Sequence, residues 1–274
     1  MTIATPPGFV AAHSRDGRWL ADATIADALG RAHLLEASGV RAALAGAAGA
    51  TGRARTALLP LGDARLVLRG VRRGGLLGPW LGGALPTPER PLREIAVTAA
   101  LRSAGAPVPR PAFGGAYRSG VVWHGAVATW FEADTTDAET WLRGEPAASR
   151  LDHALGGAGA SVRRFHDAGG SHPDLHAKNL LIRERAEGCE VIVIDLDRAR
   201  IVPHLDARAR MAQLMRLYRA LLKRGLLGIV GDRGLARFFD AYVQQDSALR
   251  AALLARLPAE RRRVARHALG YRRS

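Results

Sequence analysis

The stretch that most restricts what this chain can fold into is 172–197, HPDLHAKNLLIRERAEGCEVIVIDLD. Two short apolar runs, Leu180–Ile182 and Val191–Ile194, flank a polar segment and read as the strands of a hairpin. Folding that hairpin brings its open ends together. His172, Asp174, His176 and Asn179 precede the first strand, and Asp195 and Asp197 follow the second. Asp174, Asn179 and Asp195 are thereby placed within reach of one another. A carboxylate base beside two oxygen ligands is the equipment that phosphoryl transfer with magnesium needs.

The spacing narrows the choice. Asp174 and Asn179 stand as in the pattern H-R-D-x-x-x-x-N, with His172 two residues ahead of the Asp. Asp195 falls where the metal-binding Asp of D-F-G belongs, although this chain reads Asp195-Leu196-Asp197. A solvated polar turn beside a core strand pair is the plainer reading. One acidic turn is common; two turns correctly spaced across one hairpin are not. Zinc is a poorer fit for His166, His172 and His176, because no cysteine pair or helical acidic partner accompanies them.

With 274 residues the chain is long enough for one large domain or two lobes. Cys189 is its single cysteine, so no disulfide framework forms within it, which fits a reducing compartment. The N-terminus lacks a basic start followed by an apolar run, and no stretch approaches about 18 uninterrupted apolar residues. Neither a signal peptide nor a membrane-spanning helix is expected. The net charge is +15, and residues 201–274 hold 16 Arg or Lys against 5 Asp or Glu. Only Lys178 and Lys223 are lysine, a bias that with abundant Ala and Gly suggests a GC-rich genome. A basic surface attracts polyanions: nucleic acid, an anionic membrane or a phosphorylated glycolipid. A solvated basic face with no partner is the alternative. Nucleic acid is the least supported partner, since aromatics are 5% of residues and no stacking platform is visible.

Upstream, GAAGATGRART at 46–56 carries Gly46, Gly49 and Gly52. It leads into strand-like Thr56–Leu61 and Arg65–Val71, joined at Gly62-Asp63. Backbone N–H groups of such a loop can cover nucleotide phosphates, though Gly/Ala linkers look the same. Arg65–Arg69 resembles the third-strand motif V-A-I-K, with Arg69 in the place of the lysine. The alternative is an outward-facing strand arginine. Residues 88–104 read as a helix, with Pro88 in its first turn, Leu92, Ile95 and Ala99 on an apolar face, and Gly105 as its stop. Glu94 then either pairs the strand cation or is an ordinary first-turn acid favoured by the helix dipole.

Pro107, Pro109 and Pro111 mark a stiff connector, and 120–131 suits one or two strands. Trp130-Phe131-Glu132-Ala133 suits a hinge. Leu151, Leu155, Ala158, Val162 and Phe165 recur at helical spacing, and 204–224, 233–245 and 247–269 read as further helices, with Arg261–Arg263 exposed. The expected fold is α+β: a bilobal protein-kinase-like fold with a small β-rich N-lobe carrying one main helix, and a larger helical C-lobe. Residues 1–45 are set apart as an Ala-rich N-terminal extension without assigned chemistry, 46–133 as the N-lobe and 134–274 as the C-lobe.

Several segments together resemble the lipopolysaccharide kinases that phosphorylate 3-deoxy-D-manno-octulosonic acid (Kdo). They are LVLRGVRRGG at 66–75, Arg93-Glu94, GAPVPRP at 105–111, HPDLHAKNLLI at 172–182, VIDLDRAR at 193–200 and QLMRLYRALLK at 213–223. RRGG after the third strand and DLDR in place of DFG point to this family. The Asp-Asn-Asp set is shared with aminoglycoside and choline kinases. The resemblance implies ATP with Mg2+ and a sugar hydroxyl acceptor on a lipid A precursor. Asp174 would be the catalytic base, and Asn179 and Asp195 would hold the metal. Arg69 and Glu94 would anchor the ATP phosphates under a loop containing Gly49 and Gly52. Lys178 or His176 would steady the transferring group, and Asp197 and Arg198 would orient the metal turn or the substrate. The chain departs from the pattern in its diffuse glycine loop, in Leu196 and in His176. With the basic final quarter, the implied setting is peripheral, at the cytoplasmic face of the bacterial inner membrane. A small-molecule phosphotransferase of the aminoglycoside or choline type, or a non-catalytic pseudokinase binding anionic lipid, are the competing readings.

Overall fold

The computed structural model describes residues 3–46, 56–71, 84–260 and 262–264. The chain divides into two compact units, one formed by 1–103 with 109–133 and the other by 104–108 with 134–274.

Among the described residues, the first unit is built on six antiparallel strands: β1 (Phe9–Ser14), β2 (Gly17–Asp22), β3 (Thr56–Leu61), β4 (Ala64–Val71), β5 (Pro111–Ser119) and β6 (Val122–Trp130). Their order in the sheet is β1-β2-β5-β6-β4-β3. Neighbouring strand residues point to opposite faces. Trp19, Leu66, Leu68 and Phe113 therefore form one core with Leu29 of α1 (Ala26–Arg31) and Val40 of α2 (Ala37–Gly46). Leu20, Val71 and Val127 form the opposite core with Ile95 of α3 (Glu89–Ser103). The stretch set apart as an extension is, over its described residues from 3 on, part of this unit: β1 and β2 are two strands of the sheet, and α1 and α2 cover one of its faces.

Two glycines set the depth at which α3 lies. A Cβ on Gly114 of β5 would stand 2.2 Å from Ile95 Cγ1, and one on Gly125 of β6 would stand 2.9 Å from Pro91 Cγ. The next residue, Gly115, plays the same part on the other face, where a Cβ would meet the Trp19 ring at 2.4 Å.

The second unit is mostly helical, with α4 (Ala138–Arg143), α5 (Ala148–Asp167), α6 (Ala207–Lys223), α7 (Leu227–Val243) and α8 (Ser247–Leu254). Asp137, Asp206 and Asp246 cap α4, α6 and α8, each accepting a backbone N–H three residues on. α5 approaches its neighbours through small residues: a Cβ on Gly159 would lie 2.2 Å from the Phe238 carbonyl oxygen, and one on Gly157 would lie 2.5 Å from that of Cys189. α7 is broken at Gly231, where φ is 62° and ψ 172°, so a short helical turn precedes the break and the helix that the apolar spacing predicts from 233 follows it. The helix expected over 247–269 instead breaks at Ala255-Arg256. Arg263 pairs with Glu260 at 4.0 Å, and Arg261 lies outside the described residues. The helices line a partly open apolar pocket of about 600 Å3 whose walls include Leu155, Met211, Met215, Tyr218, Phe238 and Leu253. No described helix is long and apolar enough to cross a membrane.

Candidate active site

The second unit's short strands are β7 (Thr136–Asp137), β8 (Gly170–Ser171), β9 (Leu180–Arg185), β10 (Gly188–Val193) and β11 (Arg200–Ile201). β9 and β10 form the expected hairpin, paired from Arg185↔Gly188 at the turn to Leu180↔Val193 at the open end. Just beyond, the Ile194 N–H donates to the Asn179 carbonyl at 2.9 Å. β8 pairs with β11, Gly170 opposite Ile201, and the Val202 N–H donates to the Gly169 carbonyl at 2.8 Å. The loop 172–179 and the turn 194–199 are therefore held side by side between two small ladders. Pro107 adds a further tie, its carbonyl accepting the Val193 N–H at 2.7 Å.

His172 joins loop to turn. The Asp174 backbone N–H donates to its Nδ1 at 3.2 Å. Nδ1 must then be the acceptor, so the neutral ring carries its hydrogen on Nε2, which donates to the Ile194 carbonyl at 3.1 Å. Burial pushes the ring's pKa down, in keeping with a neutral imidazole.

Asp174 follows with a side chain 61% exposed, and His176 Nε2 lies 3.6 Å from its Oδ2. Asn179 is buried, and its Nδ2 donates to the Asp174 carbonyl at 2.9 Å. A carbonyl can only accept, so the amide nitrogen is committed and Oδ1 is the end left for a ligand. Asp195 is exposed and takes left-handed backbone angles, φ 60° and ψ 60°. Such a conformation is tolerated by Asp and Asn better than by other side chains. Leu196, in the position of the aromatic of D-F-G, is 3% exposed and anchors the short turn Leu196–Arg198. Lys178 is exposed beside Asn179.

In the first unit, Arg69 lies on the face of β4 opposite Leu68, toward α3. Its Nη2 meets Glu94 Oε1 at 2.5 Å. Glu94 is 5% exposed and sits in the second turn of α3, so the first-turn dipole reading does not describe it. The arginine takes the geometric place of a strand cation paired to a helix carboxylate. Gly49 and Gly52 lie outside the described residues, as do the arginines and glycines of 72–75.

The residues here that could hold a metal offer two hard oxygens, Asn179 Oδ1 and the Asp195 carboxylate. Among the described residues no three His, Cys, Asp or Glu side chains converge as a metal cage. That set suits Mg2+, which is usually held by one or two carboxylates and completes its shell with phosphate and water. A buried residue that sequence reasoning passed over is Gln213 of α6, whose Oε1 accepts the His172 N–H at 2.7 Å. A polar residue on an otherwise apolar helix face was the available signal.

The family model described as lipopolysaccharide kinase (Kdo/WaaP) matches residues 52–242. The 3-deoxy-D-manno-octulosonic acid kinase of Vibrio cholerae serotype O1 is 29% identical over 187 residues, 65% of this chain and 75% of its own. That of Xylella fastidiosa (strain 9a5c) is 31% identical over 194 residues, 68% of this chain and 70% of its own. The solved structure of WaaP in complex with acyl carrier protein shares the fold, with a TM-score of 0.54 at 23% identity over 79% of this chain and 86% of that one. With the family match extending over most of the chain and relatives named as kinases, this protein is a kinase and belongs to the lipopolysaccharide kinase (Kdo/WaaP) family.

Proposed function

We propose that the protein transfers the terminal phosphoryl group of ATP to a hydroxyl of Kdo on a lipid A precursor. The observation that carries the reading is the joined loop and turn. Asp174, with an exposed carboxylate, donates its own backbone N–H to the bridging His172 ring, and the strand ends before Asp195 and after Asn179 are joined by the Ile194–Asn179 bond. Asp174 would accept the proton of the attacking hydroxyl and hold that oxygen in line. Asn179 Oδ1 and the Asp195 carboxylate would hold Mg2+, which when bound neutralises charge on the phosphate oxygens. Arg69, oriented by Glu94, would bind phosphate through its planar fork. Lys178 would steady the transferring phosphoryl group, and the loop with Gly49 and Gly52 would cover the nucleotide phosphates.

The acceptor class rests on the relatives' names and on the positive charge, which suits an anionic glycolipid better than a cationic aminoglycoside or choline. The same charge supports peripheral attachment to the cytoplasmic face of the inner membrane. The test is transfer of labelled phosphate from ATP, with Mg2+, to Kdo-lipid A. Asp174→Asn should abolish it with an unchanged melting temperature. Label reaching only soluble amines or alcohols would reject the lipid acceptor, and activity surviving in Asp174→Asn would reject the base.

Because the WaaP structure contains acyl carrier protein, such a carrier is a second candidate partner here. The apolar pocket supports it, being within the range of about 300–1,000 Å3 that small ligands occupy. Acylated carrier should raise the melting temperature and unacylated carrier should not; no shift with either removes this partner.

A further inference from the structure

The buried face of α6 is apolar, formed by Met211, Met215, Leu217 and Leu221, each at most 7% exposed. Gln213 interrupts it at 6% exposed. A buried amide persists where its hydrogen bonds are made. Its oxygen takes the His172 backbone N–H at 2.7 Å; that group can only donate, so the orientation of the amide is fixed. From there the bonds continue without a break. The His172 ring receives the Asp174 N–H and gives its own hydrogen to the Ile194 carbonyl, one residue before Asp195.

We propose that Gln213 is a positioning residue for phosphoryl transfer. It holds the His172 peptide so that the ring registers the loop of Asp174 against the turn of Asp195. Asp174 itself is largely solvent-facing, so its placement depends on its backbone, and that backbone hangs on the ring. On the far side, burial and then Arg210 hold the His166 ring neutral, while the facing Gln213 side chain works the other way. The amide itself carries no charge and needs no ionisation to act. The catalytic half of this inference rests on reading Asp174 as the base; the geometric half does not.

The test compares Gln213→Leu, which keeps the volume and removes the acceptor, with Gln213→Glu, which keeps an oxygen there, in the full chain. Leaving a buried N–H without its acceptor should speed exchange of the His172 amide by about ten-fold or more. The kcat of ATP turnover with Mg2+ and Kdo-lipid A should fall by at least about ten-fold while KM for ATP stays within about two-fold. Gln213→Glu should recover most of both. Unchanged His172 exchange in Gln213→Leu overturns the proposal, as does lost protection with parental kcat. A fall in kcat that only tracks the loss of folded protein also overturns it. If the parent turns over no ATP, the proposed function fails, and the exchange measurement still decides whether Gln213 holds the loop.

Discussion

Gly114→Ala should push α3 away from the sheet and carry Glu94 off Arg69. The added Cβ would stand 2.2 Å from Ile95 Cγ1 and 3.1 Å from the Pro91 carbonyl oxygen. Carbon atoms settle at about 3.5–4.0 Å, so the shortfall against Ile95 is about 1.5 Å. Ile95 cannot swing aside: it is β-branched on a helix and 0% exposed. Overpacking of this kind costs about 1–3 kcal/mol. For a chain of this size that lowers the melting temperature by about 2–10 °C. The displaced segment includes Glu94, the residue before Ile95, whose bond to Arg69 is 2.5 Å long. KM for ATP should therefore rise along with the loss of stability. Ile95→Ala removes the clashing atom but alone leaves a cavity costing about 2–5 kcal/mol. The double variant should be at least about 1 kcal/mol more stable than the two single costs imply. Urea unfolding of the four proteins measures the cycle. Gly114→Ala within about 0.5 kcal/mol of the parent, or strict additivity in the pair, would refute the packing argument.

Asp195→Asn keeps a residue at ease with left-handed angles, so it should retain parental stability and lose phosphotransfer; Asp195→Ala should lose about 1 kcal/mol as well. Parental turnover by Asp195→Asn would remove Asp195 from the metal site. Acid should weaken the fold through His166, whose pKa burial and Arg210 push down to about 3 from 6.5. The unfolded chain takes up this proton near pH 6.5 and the folded chain only near 3, so the stabilisation is whole above pH 6.5 and is lost as pH falls between those values. Chemical denaturation at pH 7 and pH 4 should show a smaller drop in His166→Leu than in the parent, by on the order of a few kcal/mol. Tyr242, Arg163, Arg210 and Asp167 surround the ring, and an equal drop in both proteins would place the acid sensitivity with them.

The hairpin was legible because its information is local. Its strands, its exposed two-residue turn and the polar residues at its mouth all lie within 172–197. Arg69 was legible because Leu66 and Leu68 announce a strand face, which puts the arginine on the other. Glu94 was legible only as one of two readings, partner of the strand cation or first-turn acid, because the sequence does not say which turn of the helix faces β4; its bond to Arg69 decides between them. β1 and β2 were missed for a different reason. FVAAHS and GRWLAD are short and rich in Ala or charge; GRWLAD pairs with β5 almost a hundred residues away, Leu20 opposite Gly114, and FVAAHS pairs in turn with GRWLAD. Gln213 was hidden likewise, because its meaning is a contact with a backbone group 41 residues earlier.

The two ladders that bracket the 172–199 region have a practical outcome. Gly170↔Ile201 and Leu180↔Val193 close a circuit in which the oxygen-bearing side chains are gathered by near neighbours in sequence. The exposed Ala186-Glu187 bend lies at the far tip of that circuit. A short peptide tag or a fluorophore grafted there would lengthen the tip and leave the mouth of the hairpin tied, giving a handle for labelling the enzyme at the opposite end of the hairpin from its chemistry.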